Sequence, residues 1–496
     1  MTNDMIIKIT LLIVFFAVMV GVGIYSRRHA TNVNGFVLGG RSVGPWLTAF
    51  AYGTSYFSAV VFIGYAGQFG HRFGLSSTWV GVGNAVIGSL LAWLMLGKRT
   101  RIMTKHLQSM TMPDYFAKRY DSKSLRIAAS MIAFVFLIPY TASVFNGLSN
   151  LFAMSFDIDY RYIVILMALL TGVYVIVGGY MATALNDFIQ GLIMLVGIVA
   201  VILAVLKGYG GLSVAVDKLA EIPMDGSGVK GVYASLFGPE PVNLLGVVIL
   251  TSLGTWGLPQ MVQKFYAIKD EKAIKTGTVI STIFAFVVAG GCYFLGGFGR
   301  LTGIGVNPET NKVPYDTIIP TMLQNLSPIL IGVVLVLVLS ASMSTLSSLV
   351  LTSSSTLTLD FIKPLFVKKM DEKKQLIWMR ILLAIFLIVS VVIALDPPTF
   401  IAQLMGISWG ALAGAFLAPF LYGLYWKGVT KAAVWASFVV GVGITVVNMF
   451  IPLFASPINA GAAAMIAGLI VVPIVSLFTP KMNQEKVDEI FTCMKK

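Results

Sequence analysis

Ala51-Tyr52-Gly53-Thr54-Ser55-Tyr56-Phe57-Ser58-Ala59 stands in the middle of an apolar run, 45–70, and the reading of that run decides the fold. The run is long enough to cross a bilayer, which takes about 20 apolar residues. Its centre, however, carries glycine, threonine and serines, which weaken a helix and supply oxygens. Two readings fit: an interruption at which freed backbone groups meet an ion or solute, or a close helix-packing face of small residues. A second apolar run, 241–263, contains Thr251-Ser252-Leu253-Gly254-Thr255-Trp256-Gly257-Leu258-Pro259. Pro259 removes a backbone donor, and two glycines precede it. Each interrupted run opens a succession of five spans, the pattern expected of inverted-repeat transporters.

Working outward, thirteen runs are candidates for spans: 6–25, 45–70, 77–97, 126–150, 161–180, 184–207, 241–263, 274–298, 318–358, 377–395, 399–425, 431–451 and 459–479. The stretch 318–358 exceeds one simple span and is expected to hold an outer re-entrant or amphipathic piece followed by one helix. The chain of 496 residues is 57% hydrophobic and 11% charged, with mean hydropathy +0.87, whereas a soluble domain carries about a quarter charged residues. Strands of a membrane barrel alternate in polarity over about ten residues, and nothing here does. The fold class is therefore an all-α polytopic membrane protein of about 13 transmembrane helices.

The net charge of +14 suggests a nucleic-acid binder until its distribution is read. With the N-terminus outside, 27 of the 35 Lys and Arg fall on cytoplasmic segments, as the positive-inside rule expects. They include Arg27, Arg28 and Arg41, the group from Lys98 to Arg126, Lys264 to Lys275, Lys363 to Arg380, Lys427, Lys431 and the tail from Lys481. Charge marks orientation in a lipid bilayer, and no nucleic acid is implied. The first run lacks a basic n-region and a small-residue cleavage site, so it is expected to stay as a helix. Cys292 and Cys493 give neither metal spacing nor a disulfide.

Three polar features stand out inside the spans. In Ser340-Ala341-Ser342-Met343-Ser344-Thr345-Leu346-Ser347-Ser348, positions 341, 344, 347 and 348 are read as sharing one helix face. Their hydroxyls and carbonyls are hard oxygen ligands suited to an alkali cation, or they bond back to carbonyls one turn earlier. Asp187 is the only acidic residue between Tyr162 and Gly208. A carboxylate in a span costs about 3 kcal/mol on insertion scales, which points to a cavity or cation; the alternative is a boundary N-cap after Gly178-Gly179. Gly39-Gly40-Arg41-Ser42-Val43-Gly44 has neither the preceding strand nor the Lys-Ser/Thr of a nucleotide loop. Trp46, Trp256, Trp409 and Trp426 read as interface belts or packing, and His29, His71 and His106 read as loop residues.

The stretch Phe36-Val37-Leu38-Gly39-Gly40-Arg41-Ser42-Val43-Gly44-Pro45-Trp46, the segment from Gly178-Gly179 to Gln190, Ala341 to Ser348, and Leu421-Tyr422-Gly423-Leu424-Tyr425-Trp426-Lys427-Gly428-Val429-Thr430 occur in this order. Together they make the chain resemble the sodium/solute symporter family over nearly its full length, and its sodium/proline symporter branch in particular. The resemblance implies a LeuT-type core of two inverted five-helix repeats. The chain then divides into 1–44 (first helix and cytoplasmic loop), 45–207 (first repeat), 208–240 (extracellular loop), 241–425 (second repeat), 426–480 (two C-terminal helices) and 481–496 (cytoplasmic tail).

The resemblance implies that Thr54, Phe57 and Ala341 offer carbonyls, and Ser344 and Thr345 hydroxyls, to a sodium ion. Asp187, Ser347 and Ser348, with Ser344, match a second sodium site that some members carry, so one or two sodium ions are expected. Arg41 matches an arginine implicated in coupling. Proline carriers have an Asp where this chain has Tyr56, and Trp and Tyr where it has Thr251 and Thr255; sugar carriers have an Asn at the Tyr56 position. Ser55, Tyr56, Tyr140, Thr255, Trp256 and Gln403 are the candidate pocket residues. The function expected is sodium-coupled import of a small organic solute, an amino acid of proline's kind or a small carboxylate, across the cell (inner) membrane by alternating access. A proton-coupled or sodium-independent carrier of the same fold, or a membrane solute sensor, is the alternative. No paired carboxylates, His cluster or nucleophile with a base lies in the spans, so an enzyme is not expected.

Overall fold

The computed structural model describes residues 3–156, 159–367, 369–396 and 400–494; Lys495 and Lys496 of the predicted tail lie outside them. Among the described residues there is no extended strand, only two isolated bridges, Val43 with Ile268 and Asn307 with Lys312. The principal helices are α1 (Asn3–Ser26), α2 (Pro45–Thr54), α3 (Ala66–Phe73), α4 (Lys123–Phe156), α5 (Tyr160–Tyr209), α6 (Pro241–Gly257) and α7 (Pro259–Ala267). They continue as α8 (Glu271–Gly296), α9 (Pro328–Thr356), α10 (Glu372–Leu395), α11 (Ile401–Tyr425), α12 (Lys431–Phe450) and α13 (Pro457–Phe478).

Ten helices among the described residues are long and apolar enough to cross a membrane, and the α6–α7 pair, bent by 45° at Leu258, makes eleven. Two of the ten, Val60–His106 and Tyr160–Tyr209, are 47 and 50 residues long. At 1.5 Å per residue they run about 70 and 75 Å, against a hydrocarbon core of about 30 Å. Each turns back on a glycine: Gly74 has φ 64° and ψ −145°, and Gly179 has φ 55° and ψ −148°. A Cβ at Gly179 would lie 2.8 Å from the Phe36 ring and 3.0 Å from the Phe36 carbonyl oxygen, so both sterics and the backbone require glycine there. Two crossings in each of these stretches bring the total to the thirteen expected. The 318–358 stretch resolves as anticipated into a short helix, Ile318–Leu323, and the long α9.

Caps and prolines set the helix starts. Asp270, Asp371, Thr430 and Ser456 accept from the amide three residues on, and proline opens α2, α6, α7, α9 and α13. Pro419 inside α11 leaves the Ala415 carbonyl without its helical donor, and Ser437 of α12 supplies one at 2.8 Å.

α9 is buried nearly throughout and packs on α4 and α5; α11 is buried likewise and packs on α4, α6, α12 and α13. The outer helices turn apolar side chains outward instead. Along α10, Ile377, Ile381, Ile385, Ile388 and Val392 are all exposed, one helical stripe made for lipid. A polar helix such as α9, with Ser342, Ser344, Thr345, Ser347 and Ser348 all buried, is thereby shielded and held against the break in the second crossing.

Candidate ion and solute site

The second crossing is interrupted between α2 and the π-helical turn Val60–Tyr65. Within the break the amides of Tyr56 and Phe57 share Gly53 O, at 3.3 and 3.4 Å, while the Ser58 amide, which in a continued helix would close on Thr54 O, makes no such bond and leaves that carbonyl open. Two hydroxyls from α9 take it up: Ser344 Oγ at 3.0 Å and Thr345 Oγ1 at 3.2 Å. The same two hydroxyls bond back one turn to Ala341 O, at 3.0 and 3.1 Å, as the back-bonding alternative describes, so the contacts that join the two helices are those to Thr54 O. Two carbonyl and two hydroxyl oxygens therefore converge from two helices in a buried place. Oxygens about 2.4 Å from a cation and at right angles across it stand about 3.4 Å apart. The observed spacing is a few tenths of an ångström tighter, within reach of a small outward movement. Thr54, Ala341, Ser344 and Thr345 thus come together as the sequence suggests. Phe57 sits in the same break, its ring 4.2 Å from that of Tyr56. The packing-face alternative for 51–59 gives way to the interruption.

Asp187 lies eight residues beyond the Gly179 turn, in the interior of α5 and fully buried; the N-cap alternative fails on that position. Neither carboxylate oxygen has a hydrogen-bond partner. The cation facing it is Lys264 of α7, whose Nζ is 3.9 Å from Oδ2. Counting Lys264 with the basic loop residues is corrected here: the bent span runs on past Pro259 to Ala267, so Lys264 is 2% exposed. Its Nζ donates to Ser348 Oγ at 3.0 Å, and Ser348 Oγ is 2.7 Å from Ser55 Oγ. Ser347 Oγ donates back to Ser344 O at 2.9 Å, as the back-bonding alternative describes.

On the other side of the break, Tyr56 stacks on Trp409 of α11, with centroids 5.7 Å apart and planes at 27°. Tyr140 of α4 meets the same indole edge-on at 5.8 Å. The Tyr56 and Tyr140 hydroxyls and Trp409 Nε1 have no hydrogen-bond partner. Thr255 joins this group through Gly88, whose carbonyl accepts from Thr255 Oγ1 at 3.0 Å and from Tyr52 at 2.8 Å; a Cβ on Gly88 would lie 3.6 Å from the Tyr56 hydroxyl. Trp256 donates to Ile87 O at 2.9 Å. Gln403 is half-buried in the first turn of α11, six residues before Trp409. Ser55, by contrast, faces Ser348 rather than the aromatic group.

Arg41 adopts φ +56°, a conformation uncommon outside glycine. Its guanidinium bonds the carbonyls of Tyr266, Thr104 and Ser109, so it ties the stretch before α2 to the end of α7. Burial, then the neighbouring Arg101 charge, lowers its pKa to about 10, which still leaves it charged at neutral pH.

The model of the sodium:solute symporter family matches residues 36–441 of the chain. Sodium/proline symporters of Staphylococcus aureus strains JH9, N315 and COL are each 31% identical to it, over 95% of this chain and 92% of theirs. The chain belongs to the sodium:solute symporter family. A Na+-coupled sialic acid symporter, solved substrate-bound and outward-open, superposes with TM-score 0.77 at 16% identity, over 96% of this chain and 99% of its own. MhsT in complex with L-phenylalanine superposes with TM-score 0.55 at 13% identity, over 87% and 97%.

The symporter thus has the LeuT-type fold, and it couples sodium to the movement of a small solute across a membrane rather than catalysing a reaction. Two site residues escaped the sequence reading. Of the two sequence readings of Trp409, interface belt or packing, the structure shows packing: the indole is fully buried within α11 between Tyr56 and Tyr140. Lys264 was hidden by its neighbours Lys269 and Lys272. His71 is also corrected: it lies buried in α3, bonded to Ile304 O at 3.0 Å, because the helix continues beyond the predicted span end.

Proposed function

We propose that the symporter imports a small amino acid of proline's kind, or a small carboxylate, with a sodium ion held by Thr54 O, Ala341 O, Ser344 Oγ and Thr345 Oγ1 and completed by Phe57 O. The observation that carries this reading is the convergence of the two α9 hydroxyls on both carbonyls, at 3.0 to 3.2 Å. Sodium there joins the broken α2 to α9 and fixes the turn on which Tyr56 stands. Tyr56, Trp409 and Tyr140 then offer an apolar, aromatic wall with free polar tips, which suits a compact solute with an apolar body and a few polar atoms. The S. aureus relatives named for proline favour that amino acid, while Tyr56 and Thr255 give the wall its own chemistry.

In this reading 45–207 and 241–425 are the two repeats, flanked by 1–44, 208–240, 426–480 and 481–496. The face carrying Arg41, Arg101 and Lys118 is cytoplasmic, the N-terminus lies outside the cell membrane, and Arg41 links the inner ends of α2 and α7 during alternating access. Each sodium entering a negative interior releases about 2.3 kcal/mol per 100 mV, which drives solute uphill.

The test is competition against labelled proline uptake in proteoliposomes under an inward sodium gradient. Other small amino acids, short monocarboxylates and a hexose serve as competitors. Displacement by proline-like or carboxylate solutes is expected; uptake of the hexose alone would refute the substrate class.

A further inference from the structure

We propose that the Lys264 ammonium is a built-in cation of the Asp187–Ser348 site, so that the symporter carries one sodium per cycle and takes a second only when this lysine is removed. The proposal rests on the reading of Thr54, Ala341, Ser344 and Thr345 as the sodium site. Asp187 is fully buried and both its oxygens lack hydrogen bonds, so a cation must answer its charge. Lys264 reaches it from a different helix, 3.9 Å from Oδ2, and at the same time donates to Ser348 Oγ at 3.0 Å. The aromatic face of Tyr180 covers the ammonium at 5.2 Å.

Asp187 and Ser348 are two of the residues that would ligate a second ion, and the ammonium engages both. Of the other two, Ser347 has its hydroxyl turned back to Ser344 O and Ser344 turns its own to Thr54 O and Ala341 O. A sodium within about 2.4 Å of Ser348 Oγ would lie at most about 5.4 Å from the Lys264 nitrogen. Two like charges at that distance in a dry interior repel strongly, and the tether keeps the lysine in place at no cost in translational freedom.

The lysine also touches the coupling apparatus. Ser348 Oγ is 2.7 Å from Ser55 Oγ, and Ser55 directly follows Thr54, whose carbonyl accepts from Ser344 and Thr345. Lys264, on the bent α6–α7 span, is therefore joined through two hydroxyls to the break in the second crossing. A fixed charge in place of a mobile one would let α7 and α5 be neutralised throughout the cycle while a single sodium moves.

The test is equilibrium binding of radioactive sodium to the purified full-length protein in lipid nanodiscs, counted per chain. The wild type is expected to bind one sodium with a Hill coefficient near one. Lys264→Met and Lys264→Gln are expected to bind two, with the Hill coefficient rising toward two, and Lys264→Arg to remain at one. Asp187→Asn placed on Lys264→Met should return the count to one. Two sodium ions bound by the wild type would overturn the proposal whether or not any variant folds, as would a count of one in a folded Lys264→Met. No sodium binding by the wild type would overturn the four-oxygen site on which the proposal rests.

Discussion

Removing one hydroxyl from the convergence of Thr54, Ala341, Ser344 and Thr345 has an effect that follows from its geometry. Ser344 Oγ lies 3.0 Å from both carbonyls, and Thr345 Oγ1 lies 3.2 and 3.1 Å from them. With sodium present, each hydroxyl acts on a charge, and such a contact contributes about 1.5–3 kcal/mol. At 1.4 kcal/mol per tenfold, Ser344→Ala or Thr345→Ala raises the half-saturating sodium concentration about 10- to 100-fold. Without sodium the same hydroxyl makes only neutral bonds, of about 1 kcal/mol each. The variants should therefore melt near the wild type in sodium-free buffer and lose most of the stabilisation that sodium adds. The two residues share both carbonyls, so the double variant should fall short of the sum. The assay is initial uptake in proteoliposomes against sodium concentration, alongside thermal melts with and without sodium. Thr345→Ser, which keeps the oxygen, should stay close to wild type. Unchanged sodium dependence in both alanine variants, with uptake intact, would refute the site.

The Asp187–Lys264 pair, 3.9 Å apart, corresponds to about 4 kcal/mol of attraction at an effective dielectric of 20. Asp187→Ala should destabilise the protein by about 3–5 kcal/mol by leaving a buried ammonium unanswered, and Asp187→Ala with Lys264→Ala should recover part of it; an additive double variant in thermal melts would contradict the pairing. Tyr56→Phe removes a hydroxyl that bonds nothing in the protein, so the stability should hold within about 0.5 kcal/mol while the solute half-saturation rises. Trp409→Ala takes away the surface on which Tyr56 stacks and should abolish measurable solute binding; wild-type affinity in that variant would remove Trp409 from the pocket. On the face opposite Arg41, hydrogen bonds from Arg300 and Arg72 hold the Asp225 and Glu240 carboxylates below their ordinary range. Their contribution is present above the unfolded values of about 4 and is lost as pH falls through the lower folded values. Protease protection of the 222–240 segment should thus persist to about pH 4 and decline only below it; a decline near pH 6 would point to other groups.

The bundle was legible because lipid is an exacting solvent: long apolar runs, basic loops and proline-marked starts leave few alternatives for the chain. The convergence of Thr54 and Ala341 with Ser344 and Thr345 was legible in part, since glycine and serines announce the break at Thr54 and a hydroxyl-rich stretch marks the facing helix, while the pairing of these four residues came from the family resemblance. Asp187 announced itself by charge, but its partner did not. Lys264 belongs by sequence to a run of lysines, and only the continuation of the span past Pro259 carries it inward. Trp409 looked like any other tryptophan of a membrane protein; its role arises from packing of α11 against α4 and the broken crossing, which local sequence does not encode. Ser55 shows the same limit in reverse, since a one-residue step along the break turns it from the aromatic wall to Ser348.

The most direct measurement is uptake of labelled proline into proteoliposomes with an inward sodium gradient, an inward proton gradient, or neither. Concentrative uptake that requires inward sodium, and that is lost when sodium is equal on both sides at zero potential, is the predicted result. Concentrative uptake under the proton gradient alone, in sodium-free medium, would contradict the account.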